Sequence, residues 1–240
     1  MDSIEMVFFD AAGTLFDVRG RVGEIYARIA RKYGVDANSA KLESGFRRAF
    51  PKQPPMAFAS ELNELELAQL EKQWWHSLVR EVFAGVPDFT RFDEYFDEVF
   101  DLFRTPIGWE LYDETISVLD ALHSRGLKIG MISNFDSRVF DVLRAFDLEK
   151  YFSGVHISSR IGAAKPDAAI FQAALAAHKI EPEQALHVGD SLRDDALGAS
   201  AVGMNALWLD RRDRGSNENF PFRITHLGEL ITGHLFNLNR

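Results

Sequence analysis

The 240-residue chain contains no cysteine. That excludes disulfides, thiolate metal sites and a cysteine nucleophile, and it fits a cytoplasmic setting. Apolar runs long enough to cross a membrane are missing, as are internal repeats and low-complexity tracts. Positive charge is scarce: 27 Lys and Arg stand against 36 Asp and Glu, for a net charge of -9. The basic residues gather only in short clusters such as Arg47-Arg48 and Arg211-Arg212, without the stripe that nucleic acid or an anionic membrane surface would require. The first ten residues carry acidic groups where a leader would be basic, and their apolar stretch is too short for one. The sequence thus predicts a soluble cytoplasmic protein with no nucleic-acid or membrane partner. What it has in abundance is core material: 46% hydrophobic residues, among them 20 Phe. That suffices for one large domain, or for a core with an accessory domain.

Unbroken apolar runs at 6–9, 127–132, 155–157, 185–188 and 206–209 read as strands buried on both faces. Helical patterns at 115–125, 138–146, 168–178 and 194–202 separate the later ones. This alternation predicts an α/β fold, a Rossmann-like parallel sheet with helices on both faces. One stretch differs. From residue 18 to 104 only helical periodicity is found, as in Val22, Ile25, Tyr26, Ile29, Ala30 and Tyr33 before Gly34, and in Phe89, Phe92, Phe96, Val99, Phe100 and Phe103. The acidic groups opposite that second stripe, Asp93, Glu94, Asp97, Glu98 and Asp101, read as a solvated face. The division expected is a core of residues 1–17 and 105–240 with an all-helical insert at 18–104, hinged near Asp17 and Pro106. Residues 211–222 read as a polar loop.

Ligands of open parallel sheets bind beyond the carboxyl ends of the strands. Here those ends are followed by Asp10 through Leu15, by Ser133-Asn134, by Lys165-Pro166-Asp167 and by Gly189-Asp190 through Asp195. A strand-end carboxylate such as Asp10 can attack phosphorus or an activated carbon. Gly13 lets the backbone turn towards an anion, and Thr14 and Ser133 can donate to transferring oxygens. Lys165 can neutralise both nucleophile and phosphate. Asp190 and Asp195 offer the hard oxygens that Mg²⁺ prefers. Each residue alone has an ordinary reading as a cap or turn; four such elements in order argue for a site.

With these segments, in this order and across nearly the whole core, the sequence resembles the haloacid dehalogenase-like hydrolases. The stretches Gln73-Trp74-Trp75 and Phe46-Arg47-Arg48-Ala49-Phe50 are similar to one subgroup of that family. The resemblance implies a helical cap over the site and Asp10 as the nucleophile of an aspartyl intermediate. It further implies Ser133 and Asn134 on the transferring group, Lys165 holding Asp10 and substrate, and Mg²⁺ held by Asp10, the Ala12 carbonyl, Asp190 and, through water, Asp195. The implied substrate is a small phosphorylated molecule.

One position departs from the pattern. The family's phosphatases carry a second Asp two residues after the nucleophile, which protonates the leaving group and activates water; here that residue is Ala12. The 2-haloacid dehalogenases of the family also lack this Asp and need no metal, but usually have Tyr where Ala12 stands. Phosphonoacetaldehyde hydrolases have Ala there with a cap lysine; Lys41 and Lys52 lie in the insert, in surroundings unlike that group. Three readings follow: a Mg²⁺-dependent phosphohydrolase, a dehalogenase-like hydrolase, or a binding protein that keeps the fold without turnover.

Overall fold

The structure is a computed structural model describing residues 4–58, 61–86, 89–213 and 220–232. Strand β1 (Met6–Phe9) is buried at all four positions. Its side chains alternate between two cores. Val7 and Phe9 pack with Val118, Leu122, Val139 and Leu143 on one face, while Met6 and Phe8 pack with Ile170, Phe171 and Ala199 on the other. An uninterrupted apolar run is what a strand covered on both sides requires.

The chain then enters β2 (Phe16–Val18), four helices α1 (Val22–Lys32), α2 (Ser39–Ala49), α3 (Glu64–Val82) and α4 (Phe92–Leu102), and β3 (Trp109–Leu111). The rest alternates: α5 (Thr115–Ser124), β4 (Lys128–Ser133), α6 (Arg138–Ala145), β5 (Phe152–Ile157), α7 (Ser158–Ile161), α8 (Ala168–His178), β6 (Ala185–Gly189), α9 (Gly198–Ala201), β7 (Asn205–Leu209) and β8 (Arg223–Ile224). Six strands form one sheet in the order β5-β4-β1-β6-β7-β8, and every pair is parallel. This is the predicted Rossmann-like α/β architecture. Because β1 lies between β4 and β6, the order reverses beside it, which makes the end of β1 the switch point. Phe9 is in register with Met131 and with Val188. The residues just past β1, β4 and β6 therefore end at one level.

Two features were not predicted. β2 and β3 pair antiparallel, Asp17 opposite Glu110, so the two connections to the helical segment run side by side as a ribbon. The helix expected at 194–202 is a π-helical turn (Leu192–Leu197) running into the short α9. In it, Ala196 N–H donates to the Ser191 carbonyl, five residues back. Such wide turns concentrate at functional sites. The acidic face of α4 is solvated, as read, with Asp93 and Asp97 paired to Arg80 and Lys72. Of the loop expected at 211–222, residues 214–219 lie outside the described residues.

Candidate active site

The strand ends bring together most of the residues singled out above. Lys165 Nζ lies 2.7 Å from Asp10 Oδ1, 2.5 Å from Asp195 Oδ1 and 2.9 Å from the Ile132 carbonyl. All three side chains are buried; Lys165 is 6% exposed and Asp195 1%. Asp190 completes the group: ligand oxygens of Asp10, Asp190 and Asp195 lie within 4.8 Å of one another. Burial pushes the Asp10 carboxyl above the ordinary carboxylate range; the Lys165 charge opposes this, the Asp195 charge adds to it, and hydrogen bonds from Lys165 and Ser133 oppose it. Burial works in the same direction on Asp195, but Lys165 and a hydrogen bond from His187 outweigh it and hold that carboxyl low. For the ammonium, burial is more than offset by Asp10 and Asp195, so Lys165 stays charged.

Asp195 is fixed on both oxygens. Oδ1 accepts from Lys165 and from His187 Nε2 at 2.9 Å, and Oδ2 accepts from Ser191 N–H at 2.9 Å. Burial lowers the His187 pKa, so a neutral imidazole donates this bond. The site tolerates this packing only because residue 189 is glycine. A Cβ there would lie 2.1 Å from Asp195 Cγ. Gly13, at φ 83°, is the second such position: a Cβ would fall 2.8 Å from the Asp190 carboxylate, so the turn after Asp10 closes directly on Asp190.

Asn134, expected on the substrate, spends its side chain on the lysine loop. It accepts from Lys165 N–H at 2.7 Å and donates to the Lys165 carbonyl at 2.9 Å. Thr14 is fully buried, and its hydroxyl has no hydrogen-bond partner among the described residues. Ala12 is half-buried on the wall of an apolar cavity of about 170 Å³. Of the insert residues singled out in the sequence, Val22, Tyr26, Phe46, Phe50, Trp75 and Phe103 line that cavity, and Trp74 lines an adjoining groove. Arg48 and Lys41 line a different groove, between α2 and the end of α3. Lys52 lines none of these.

Sequence reasoning missed the contacts that seat α3 on the sheet domain. Glu71, 3% exposed, accepts at one oxygen from Ser159 Oγ (2.6 Å), Ser137 Oγ (2.9 Å) and Ser137 N–H (3.0 Å). Trp75 Nε1 donates to Asp136, which also holds Arg138 through two oxygens. A Glu on a helix gives no sequence signal of this kind; Asp136 and Arg138, just past the Ser133-Asn134 segment, were the available hint.

Three carboxylates thus cluster at the strand ends, and Lys165 bridges two of them, Asp10 and Asp195. With hard oxygen donors and the Gly13 turn drawing Asp190 towards Asp10, these residues fit a divalent cation such as Mg²⁺.

This fold and this set of strand-end groups define a class. The chain belongs to the haloacid dehalogenase-like hydrolases, whose family model matches residues 4–203. The haloacid dehalogenase-like hydrolase domain-containing protein 3 of Mus musculus is 34% identical over 209 residues, covering 85% of this chain and 80% of that protein. Solved structures of the same fold include a 2-haloacid dehalogenase from Pseudomonas syringae pv. Tomato DC3000, 24% identical with a TM-score of 0.64, covering 95% of this chain and 96% of that one. A HAD phosphatase from Thermococcus onnurineus is also 24% identical with a TM-score of 0.64, covering 96% of each chain. No described helix is long and apolar enough to cross a membrane.

Proposed function

We propose that this chain is a Mg²⁺-dependent phosphohydrolase acting on a small phosphorylated molecule, with residues 18–104 as a cap on a core of 1–17 and 105–240. The observation that carries the reading is the carboxylate cluster: ligand oxygens of Asp10, Asp190 and Asp195 lie within 4.8 Å of one another, with Lys165 on Asp10 and Asp195. A carbon-directed dehalogenase needs no such cluster of hard oxygen donors. In this reading an Asp10 oxygen attacks phosphorus, the phosphorus–oxygen bond to the leaving group breaks, and water later releases phosphate from the aspartyl intermediate. Lys165 holds Asp10 oriented and offsets its charge, Ser133 donates to the transferring group, and Asp195, His187 and Asn134 position Lys165. Bound by Asp10, the Ala12 carbonyl and Asp190, the cation would supply neutralisation of phosphate charge. Ala12 supplies no proton, an assistance worth ~10²–10⁴-fold elsewhere.

Phosphate release from para-nitrophenyl phosphate tests this, since its leaving group departs without a proton. Release that depends on Mg²⁺, stops with EDTA and is abolished by Asp10→Asn is expected; release untouched by Asp10→Asn refutes it. Ala12 favours a second reading, hydrolysis at carbon, for which halide release from a 2-haloacid in EDTA is the distinguishing result.

A further inference from the structure

The cavity beside Ala12 is built from both parts of the chain. Ala12 and Phe135 come from the strand ends, Val22, Tyr26 and Phe46 from α1 and α2, and Trp75 from α3. Among its lining residues the indole N–H groups of Trp75 and Trp109 are spent on Asp136 and the Phe103 carbonyl, Tyr26 brings a hydroxyl, and the remaining polar side chains are Asn134 and Arg138. Neither is available to a ligand as a charge. Asn134 is engaged at both ends by the Lys165 backbone. The Arg138 guanidinium, 4% exposed, is clamped by both oxygens of Asp136 at 2.9 and 2.6 Å, donates to the Phe100 carbonyl and lies 4.1 Å over the Phe100 ring. The cavity therefore offers no cation for a second anionic group and, beyond the Tyr26 hydroxyl, few partners for hydroxyls. Its volume, about 170 Å³, compares with the roughly 150 Å³ apolar cavity that accepts one benzene ring. An adjoining groove of about 560 Å³ reaches Lys165 and Arg193 and shares Phe50, Trp75 and Asn134 with it, giving a polar approach for phosphate.

We propose that the substrate is the phosphate monoester of a small uncharged phenol, whose ring occupies this cavity. The inference rests on the phosphohydrolase reading above and narrows its substrate class. It also accounts for Ala12. When Asp10 attacks phosphorus, the bond to the aryl oxygen breaks and the electron pair leaves on a phenolate. That anion is stable enough to depart unprotonated and takes its proton from solvent afterwards. An alkyl alkoxide has no such route, and the wall that a general acid would occupy is instead the methyl group of Ala12.

The test compares kcat/KM for phenyl phosphate, 4-carboxyphenyl phosphate and acetyl phosphate with Mg²⁺ present. The carboxylate makes the second leaving group the better one, so solution chemistry favours it; an uncharged cavity disfavours it. Phenyl phosphate is expected to exceed 4-carboxyphenyl phosphate at least tenfold. In Val22→Phe, which fills the cavity, the ratio of phenyl to acetyl phosphate is expected to fall at least tenfold. If 4-carboxyphenyl phosphate is cleaved as well as phenyl phosphate while acetyl phosphate is turned over, the cavity inference is overturned and the phosphohydrolase reading stands. If none of the three is cleaved, that reading falls and takes the inference with it. Should Val22→Phe fail to fold, the wild-type comparison of the two aryl esters decides alone.

Discussion

A single methyl group at residue 189 should dismantle the site. In Gly189→Ala the new Cβ would stand 2.1 Å from Asp195 Cγ and 2.3 Å from its Oδ2, against the ~3.5 Å that carbon contacts require. Asp195 cannot simply rotate away, because Lys165, His187 and Ser191 N–H hold both its oxygens. Overpacking of this kind costs ~1–3 kcal/mol, and separating a buried ion pair ~3–5 kcal/mol. The two are not additive, since moving the carboxylate relieves the first by incurring the second. We expect a net loss of about 3–5 kcal/mol, or roughly 6–20 °C in Tm for a domain of this size. Urea unfolding followed by circular dichroism measures it, with an unchanged m-value as the control on the unfolded state. Coupling with Asp195→Ala should be at least ~0.5 kcal/mol, because that variant removes the atoms the methyl meets first. A midpoint shift equivalent to less than ~0.5 kcal/mol would refute the argument.

Glu71 should behave differently towards two substitutions. All three donors converge on one oxygen, so Glu71→Gln keeps the acceptor and should cost under ~1 kcal/mol, whereas Glu71→Ala leaves the buried Ser159 donor and the half-buried Ser137 donors unpaired at ~2–4 kcal/mol; equal losses in chemical denaturation would show that α3 is not seated by this carboxylate. Burial, with the nearby His178, lowers the His156 pKa to about 4. Its neutral form is favoured in the fold, so this stability is fully present above the unfolded value near 6.5 and is lost as pH falls from there towards 4. With allowance for its partial exposure, the loss is on the order of 1–2 kcal/mol. His156→Phe should flatten that part of the pH–stability curve, and an identical slope in the variant would exclude His156 as its source.

How much of this was legible in the sequence depended on the length of the signal. β1 and β6 were visible because a strand covered on both faces has no polar alternation, and Met6 through Phe9 and Ala185 through Val188 have none. The β2–β3 ribbon was not, because each strand has three residues with only one buried. The turn after Ser191 carried an ordinary helical pattern; its widening follows from Ser191 and Asp195 folding back over Gly189, contacts that periodicity does not encode. His187 sat in an apolar run and read as core, which it is, but its Nε2 also fixes Asp195. Asp10, Lys165, Asp190 and Asp195 were legible individually as strand-end polar groups, and their meeting followed from the parallel order.

Ala12 is where sequence and structure say different things. In the sequence it is a deletion: the position where related phosphatases place an acid holds a methyl group. In the structure that methyl is part of a wall shared with Phe135, Tyr26 and Trp75, facing a space whose one guanidinium is already neutralised. A carboxylate placed there would gain a proton to donate and lose hydration without a cationic partner, which drives it towards its neutral form. The missing acid and the apolar cavity therefore support each other. An acid at this position would suit a polar leaving group that the cavity does not accommodate, and the cavity suits a leaving group that does not need the acid.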